Sequence, residues 1–98
     1  MWAQIIKARM KPGAEEEMQK LMKEFEGEGA STPFVRSITL QNQNDLGEYH
    51  TVVFFESQEA ARSNENTPAQ QDRVRRIQAL YEGPPEFLDC NVVNEFSR

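Results

Sequence analysis

Residues 48–56, EYHTVVFFE, decide how this chain is read. The stretch has the β-branched and aromatic content of a strand and is the most apolar piece of the sequence. A strand with one wet face alternates apolar and polar residues, because successive side chains point to opposite faces. This one does not alternate. Val52 and Phe54 point one way, Val53 and Phe55 the other, and all four are large and apolar. Burying one such side chain is worth about 1.5–3 kcal/mol, so both faces of the strand ask for cover.

Upstream, NQNDLG (42–47) is turn chemistry, which makes FVRSITLQ (34–41) the hairpin partner of that strand. Alternation places Phe34, Ile38 and Leu40 on one of its faces and Ser37, Thr39 and Gln41 on the other. GEGASTP (27–33) reads as a loop. Before it, Ala14, Met18, Leu21, Met22 and Phe25 recur at helical spacing, so the two methionines are core residues first. Glu15, Glu16 and Glu17 lie in the opening turn, where the helix dipole favours negative charge, and Gly27 and Gly29 end the helix. Pro12-Gly13 separates it from a first strand, WAQIIKARM (2–10), in which Ile5 and Ile6 put an apolar side chain on each face.

Downstream, Ser57 caps a short helix through SQEAARSNE (57–65). Thr67-Pro68-Ala69-Gln70 is a second start signal: threonine at the N-cap, proline at the first helical position, glutamine in the capping-box place. Val74, Ile77, Leu80 and Tyr81 supply the buried stripe, and the basic run Arg73, Arg75, Arg76 reads as a solvated face. Gly83-Pro84-Pro85 stops the helix. Residues 86–96, EFLDCNVVNEF, form the last strand, with Val92 and Val93 repeating the doubled pattern and Cys90 reading as a small buried hydrophobe.

The order is strand, helix, strand, strand, helix, strand. With right-handed crossovers it folds as an α+β, ferredoxin-like βαββαβ domain: a four-stranded antiparallel sheet, both helical regions on one face, the first and third strands central. The 98 residues make one domain, 1–98. A chain this short buries only about 60–70% of its unfolded surface. The simplest cover for the second apolar face is the same face of another copy, giving a homodimer through the sheet faces. Packing under loops within a monomer is the alternative.

Composition excludes several partners. The 28% of charged residues sum to a net charge of -5, which repels phosphate backbones and anionic lipid, so neither nucleic acid nor membrane is expected as a partner. The third strand also lacks the aromatic-glycine signature of an RNA-recognition module, with Glu48 where an aromatic belongs. A single cysteine forms no intramolecular disulfide, no Cys/His spacing suggests a metal, and no cofactor is expected. No apolar run is long enough for a signal peptide or a membrane span, so the default address is the cytoplasm.

ARMKPG closing the first strand, VVFFES running into EAARSNE, and LYEGPPEFLDCNVV together resemble the antibiotic-biosynthesis-monooxygenase-like proteins of the dimeric α/β barrel superfamily. The likeness covers nearly the whole chain. It implies a face-to-face dimer and a cavity, between helices and sheet or within the paired sheets, for small planar aromatic molecules. Some members oxidise such substrates with O2 without metal or flavin, and others degrade haem with an Asn, Trp and His set. That set does not carry over: Gln4 stands where asparagine would align, the second helical region has no histidine, and the only tryptophan, Trp2, opens the chain.

Against this background His50, the only histidine, is the candidate catalytic base for a phenol. Sharing a face with Val52 and Phe54, it would line a cavity; the bland reading is a half-exposed histidine at a strand start. Lys7, Arg9 and Asn91 are candidate polar anchors for substrate, with Asp89 beside Asn91 on its strand, against ordinary cross-strand pairing. Tyr49, with Trp2, offers a ring for stacking, or fills a dimer seam or sheet end. Two functions stay open: a cofactor-independent monooxygenase acting on a small aromatic or polyketide-like compound, and a non-catalytic dimeric ligand-binding or scaffold domain.

Overall fold

A computed structural model of the protein describes residues 1–27 and 34–98. Its elements run β1 (Trp2–Arg9), α1 (Glu15–Gly27), β2 (Phe34–Gln41), β3 (Glu48–Phe55), α2 (Gln58–Glu65), α3 (Pro68–Gln78) and β4 (Glu86–Asn91). The four strands form one antiparallel sheet in the order β2-β3-β1-β4, with β1 and β3 central as the crossover rule requires. The loop expected over 27–33, including Gly29, lies outside the described residues apart from Gly27.

Local chemistry sets the helix boundaries. Ser57 Oγ accepts from the Ala60 amide at the start of α2, and Thr67 Oγ1 accepts from the Gln70 amide at the start of α3, with Pro68 following. The second helical region is therefore two helices, because each has its own cap. Gly83, at φ 86°, adopts the left-handed conformation that lets the chain turn from α3 into β4. Leu80 and Tyr81 fall beyond α3, and Tyr81 bridges to Met10 at the end of the sheet.

The registers divide the side chains between two faces. Residues directly opposed in an antiparallel pair share a face. Trp2 lies opposite Phe55 and Asn91, and Phe55 opposite Phe34, giving one row across all four strands. On that face Trp2 and Phe55 pack on Ala61 of α2, ring centroids 6.0 Å apart, with Val53 alongside. Arg62 of α2 stacks 5.7 Å over the Trp2 ring and pairs with Asp89 of β4 at 2.9 Å. This is the helix-bearing face. Trp2 thus fills the core under α2 and not a seam between copies.

Three local expectations are corrected. Phe34 does not share a face with Ile38 and Leu40: a register shift between Phe34 and Arg36 inserts Val35 as an extra residue and turns Phe34 to the helix side. The last strand ends at Asn91, opposite Trp2; Val92 keeps one hydrogen bond, from its amide to the Met1 carbonyl at 3.1 Å, but it and Val93 lie outside the strand. Arg73 is buried, 9% exposed, not solvated. It and Arg76 stack on the Phe25 ring of α1 at 5.6 and 5.7 Å, and Arg76 pairs with Glu24 at 2.8 Å.

Candidate functional site

The opposite face of the sheet bears no helix, and its composition is ordered in rows. The first row is Arg36, Phe54, Ala3 and Cys90; the second is Ile38, Val52, Ile5 and Leu88. The third is Leu40, His50, Lys7 and Glu86, and Glu48 opposite Arg9 closes the face. Apart from Arg36 at the β2 edge, the first two rows form an apolar floor that ends in a charged border. Phe54, Val52, Ile5 and Ile38 are half-buried, while Leu40 and Leu88 are 52% and 59% exposed.

Within the border, Lys7 Nζ lies 3.3 Å from Glu48 Oε1 and 4.0 Å from Glu86 Oε2. His50 Nε2 faces the same Glu48 oxygen at 3.8 Å, an ion-pair distance when the imidazole is protonated. Asn42 Nδ2 donates to the other Glu48 oxygen. That amide first, and then Lys7, hold the Glu48 carboxyl below the usual carboxylate range, so it stays ionised beside the histidine. A base with a carboxylate behind it is the arrangement that accepts a proton and stabilises the resulting cation.

Of the residues singled out in the sequence, Lys7, Arg9, His50, Val52 and Phe54 share this open face. Arg9 is engaged elsewhere: its guanidinium forms a two-pronged pair with Asp45 in the β2–β3 turn, which raises the arginine and lowers the aspartate from their ordinary values. Gly47 leaves the space the Arg9 side chain occupies, since a Cβ there would lie 2.7 Å from its Nη1. Tyr49 and Asn91 are on the helix-bearing face. There the Tyr49 hydroxyl accepts from Gln41 at 3.0 Å, and Asn91 is exposed in the Trp2 row. Asp89 likewise faces the helices, held below its ordinary value by Gln4 and then by Arg62. Lys7 and Asp89 therefore never meet.

Sequence reasoning missed Glu48 and Asn42. Glu48 stands two residues before His50 on one strand, and the two-residue period of a strand was signal enough. A depression of about 430 Å3 lies between α1 and the end of α3, lined in part by Leu21, Leu80, Glu24 and Arg76. It is on the helix-bearing side, away from His50, and two of its lining residues, Glu24 and Arg76, pair with each other at 2.8 Å.

No protein-family model matches the sequence, and neither does any curated protein. Solved structures do match over almost the whole chain. An antibiotic biosynthesis monooxygenase aligns with TM-score 0.77 and 18% identity, over 96% of this chain and 100% of its own. A variant of SnoaB, a cofactor-independent oxygenase from Streptomyces nogalater, aligns with TM-score 0.78 and 16% identity, over 99% and 98%. Rv0793 from Mycobacterium tuberculosis aligns with TM-score 0.78 and 14% identity, over 98% of both chains. These likenesses establish the architecture. The chain is a ferredoxin-like α+β domain with the fold of the antibiotic biosynthesis monooxygenases. Among its described residues, no helix is long and apolar enough to cross a membrane.

Proposed function

We propose that the protein is a homodimeric, monooxygenase-like enzyme that oxidises a small aromatic or polyketide-like compound with O2, without metal or flavin. The observation that carries this reading is the uncovered face, an apolar floor bordered by Lys7, Glu48 and His50. Two copies pack these faces together in an isologous contact, which removes the floor from water. A planar ring lies on Ile5, Val52 and Phe54. His50 takes the phenolic proton, Glu48 stabilises the imidazolium and Lys7 faces the phenolate oxygen.

The electron-rich anion is itself the reductant of O2. In the simplest balance, a phenol and O2 give a quinone and water: one oxygen atom enters the ring, and the other leaves with the hydroxyl and ring hydrogens. No external reductant is consumed. A positioned base contributes about 10²–10⁴-fold to such a step.

The test is O2 uptake together with quinone absorbance over a panel of phenols. Turnover that falls about 10²–10⁴-fold at pH 7 in His50→Ala supports the mechanism, and unchanged turnover removes His50 from it. The second reading, a non-catalytic dimeric ligand-binding or scaffold domain, draws on the Lys7–Glu48 pairing, which leaves both groups partnered before any substrate arrives. A dimer silent across the panel favours it.

A further inference from the structure

One side-chain cation on the open face has no acid beside it. Lys7 pairs with Glu48 and Glu86, His50 faces Glu48, and Arg9 is taken by Asp45. Arg36 differs. It is exposed on β2, its guanidinium carbon lies 6.0 Å from the centre of the Phe54 ring, and among the described residues no carboxylate pairs with it. A guanidinium over an aromatic ring keeps its N–H groups in its own plane, where they form the fork that holds a carboxylate by two parallel hydrogen bonds. In a chain of net charge -5, an open fork of this kind is where the face attracts an anion.

The bulge in β2 sets this position. The extra residue at Val35 lets Phe34 lie on the helix-bearing side while Arg36, directly opposite Phe54, lies on the open one. Bulges are common beside functional sites, where they re-aim a side chain.

The register then orders the face along β3. Phe54 with Arg36 stands at one end, Val52 with Ile5 in the middle, and His50 with Lys7 and Glu48 at the other. Four residues of strand separate Phe54 from His50, about 13 Å. A single phenol ring is much shorter than that. A planar polycyclic phenol spans it, with its hydroxyl at His50 and a carboxylate at Arg36. Because β2 is an edge strand, the carboxylate stays near water at the rim while the rings lie on the apolar floor.

We propose that Arg36 selects the substrate, a planar polycyclic phenol carrying a carboxylate at the end remote from the reacting hydroxyl. This rests on the oxidation proposed above and deepens it, and Arg36 takes no part in the proton transfer. The probes are a hydroxyanthracene with a carboxylate on the far terminal ring, the matching carboxamide, and a hydroxybenzoate. Binding to the parent, to Arg36→Gln and to Arg36→Lys is read by fluorescence titration without O2, so that no turnover intervenes; the hydroxybenzoate is read by competition.

The parent should bind the anthracene carboxylate about tenfold more tightly than the carboxamide. That preference should vanish in Arg36→Gln and survive in part in Arg36→Lys, which keeps the charge and loses the fork. It should also shrink at about 1 M salt, where charges are screened within about 3 Å. A damaged fold weakens carboxylate and carboxamide alike, so the ratio separates recognition from structure. A parent that binds both equally, an Arg36→Gln protein that keeps the preference, or a hydroxybenzoate that binds as tightly as the anthracene overturns the assignment. So does a parent that oxidises simple phenols yet binds none of the probes, and each of these results leaves the oxidation standing. A parent that binds no probe and is silent across the phenol panel overturns both.

Discussion

Replacing Leu40 and Leu88 together by serine separates the two faces of the sheet more sharply than any other change. Both side chains sit on the helix-free face, 52% and 59% exposed. Full burial of a leucine is worth about 1.5–3 kcal/mol, so the half left exposed carries about 0.8–1.8 kcal/mol that only a partner can realise. A two-fold dimer covers four such side chains, about 3–7 kcal/mol in all. Even the low end raises the dissociation constant about a hundredfold or more.

Sedimentation equilibrium reads that shift, and thermal melts at several protein concentrations check it, since dimer loss makes the melting temperature fall on dilution. Phe55→Ala is the contrasting control. Phe55 is 6% exposed against Trp2 and Ala61. Its truncation costs about 3–5 kcal/mol within one chain, which no protein concentration recovers. A Leu40→Ser/Leu88→Ser protein that dimerises as tightly as its parent would refute the assignment of this face to self-association.

Acid sensitivity follows from the β2–β3 turn. Arg9 holds the Asp45 carboxyl below its unfolded value, so the stabilisation is present above about pH 4 and is lost as pH falls through the lower, folded value. Asp45→Asn is therefore expected to be less stable than the parent at pH 7, with the gap closing below about pH 4 in urea melts. Arg62→Ala removes the cation stacked on Trp2 and leaves Asp89 with Gln4 alone, so tryptophan emission should shift to the red as water reaches the indole; an unchanged spectrum would contradict the stacked geometry. Thr67→Ala deletes the cap of α3 and should cost about 0.5–2 kcal/mol, measured by denaturant unfolding, with Thr67→Ser largely restoring it.

The order of elements, their caps and the central place of β1 and β3 were legible in the sequence, because they depend on local rules. Pro12-Gly13, Ser57, Thr67-Pro68 and Gly83 each fix a backbone conformation within a few residues of themselves. The doubled apolar pattern of 52–55 asked for cover on both sides of β3, and the structure supplies it on the Val53 and Phe55 side, under α2. Which parity faced the helices was not legible, since Val52 and Phe54 match Val53 and Phe55 in size and polarity. Only the docking of Ala61 and Arg62 on Trp2 and Phe55 settled it, and with that the side on which His50 and Lys7 stand.

Other outcomes depended on neighbours far along the chain. The extra residue at Val35 turned Phe34 over, β4 stopped at Asn91 opposite Trp2, and Arg73 packed against the Phe25 ring out of water. Each is a choice between positions that the local sequence makes almost equal in energy. Contacts between distant segments break such ties, and those contacts exist only once the chain has folded.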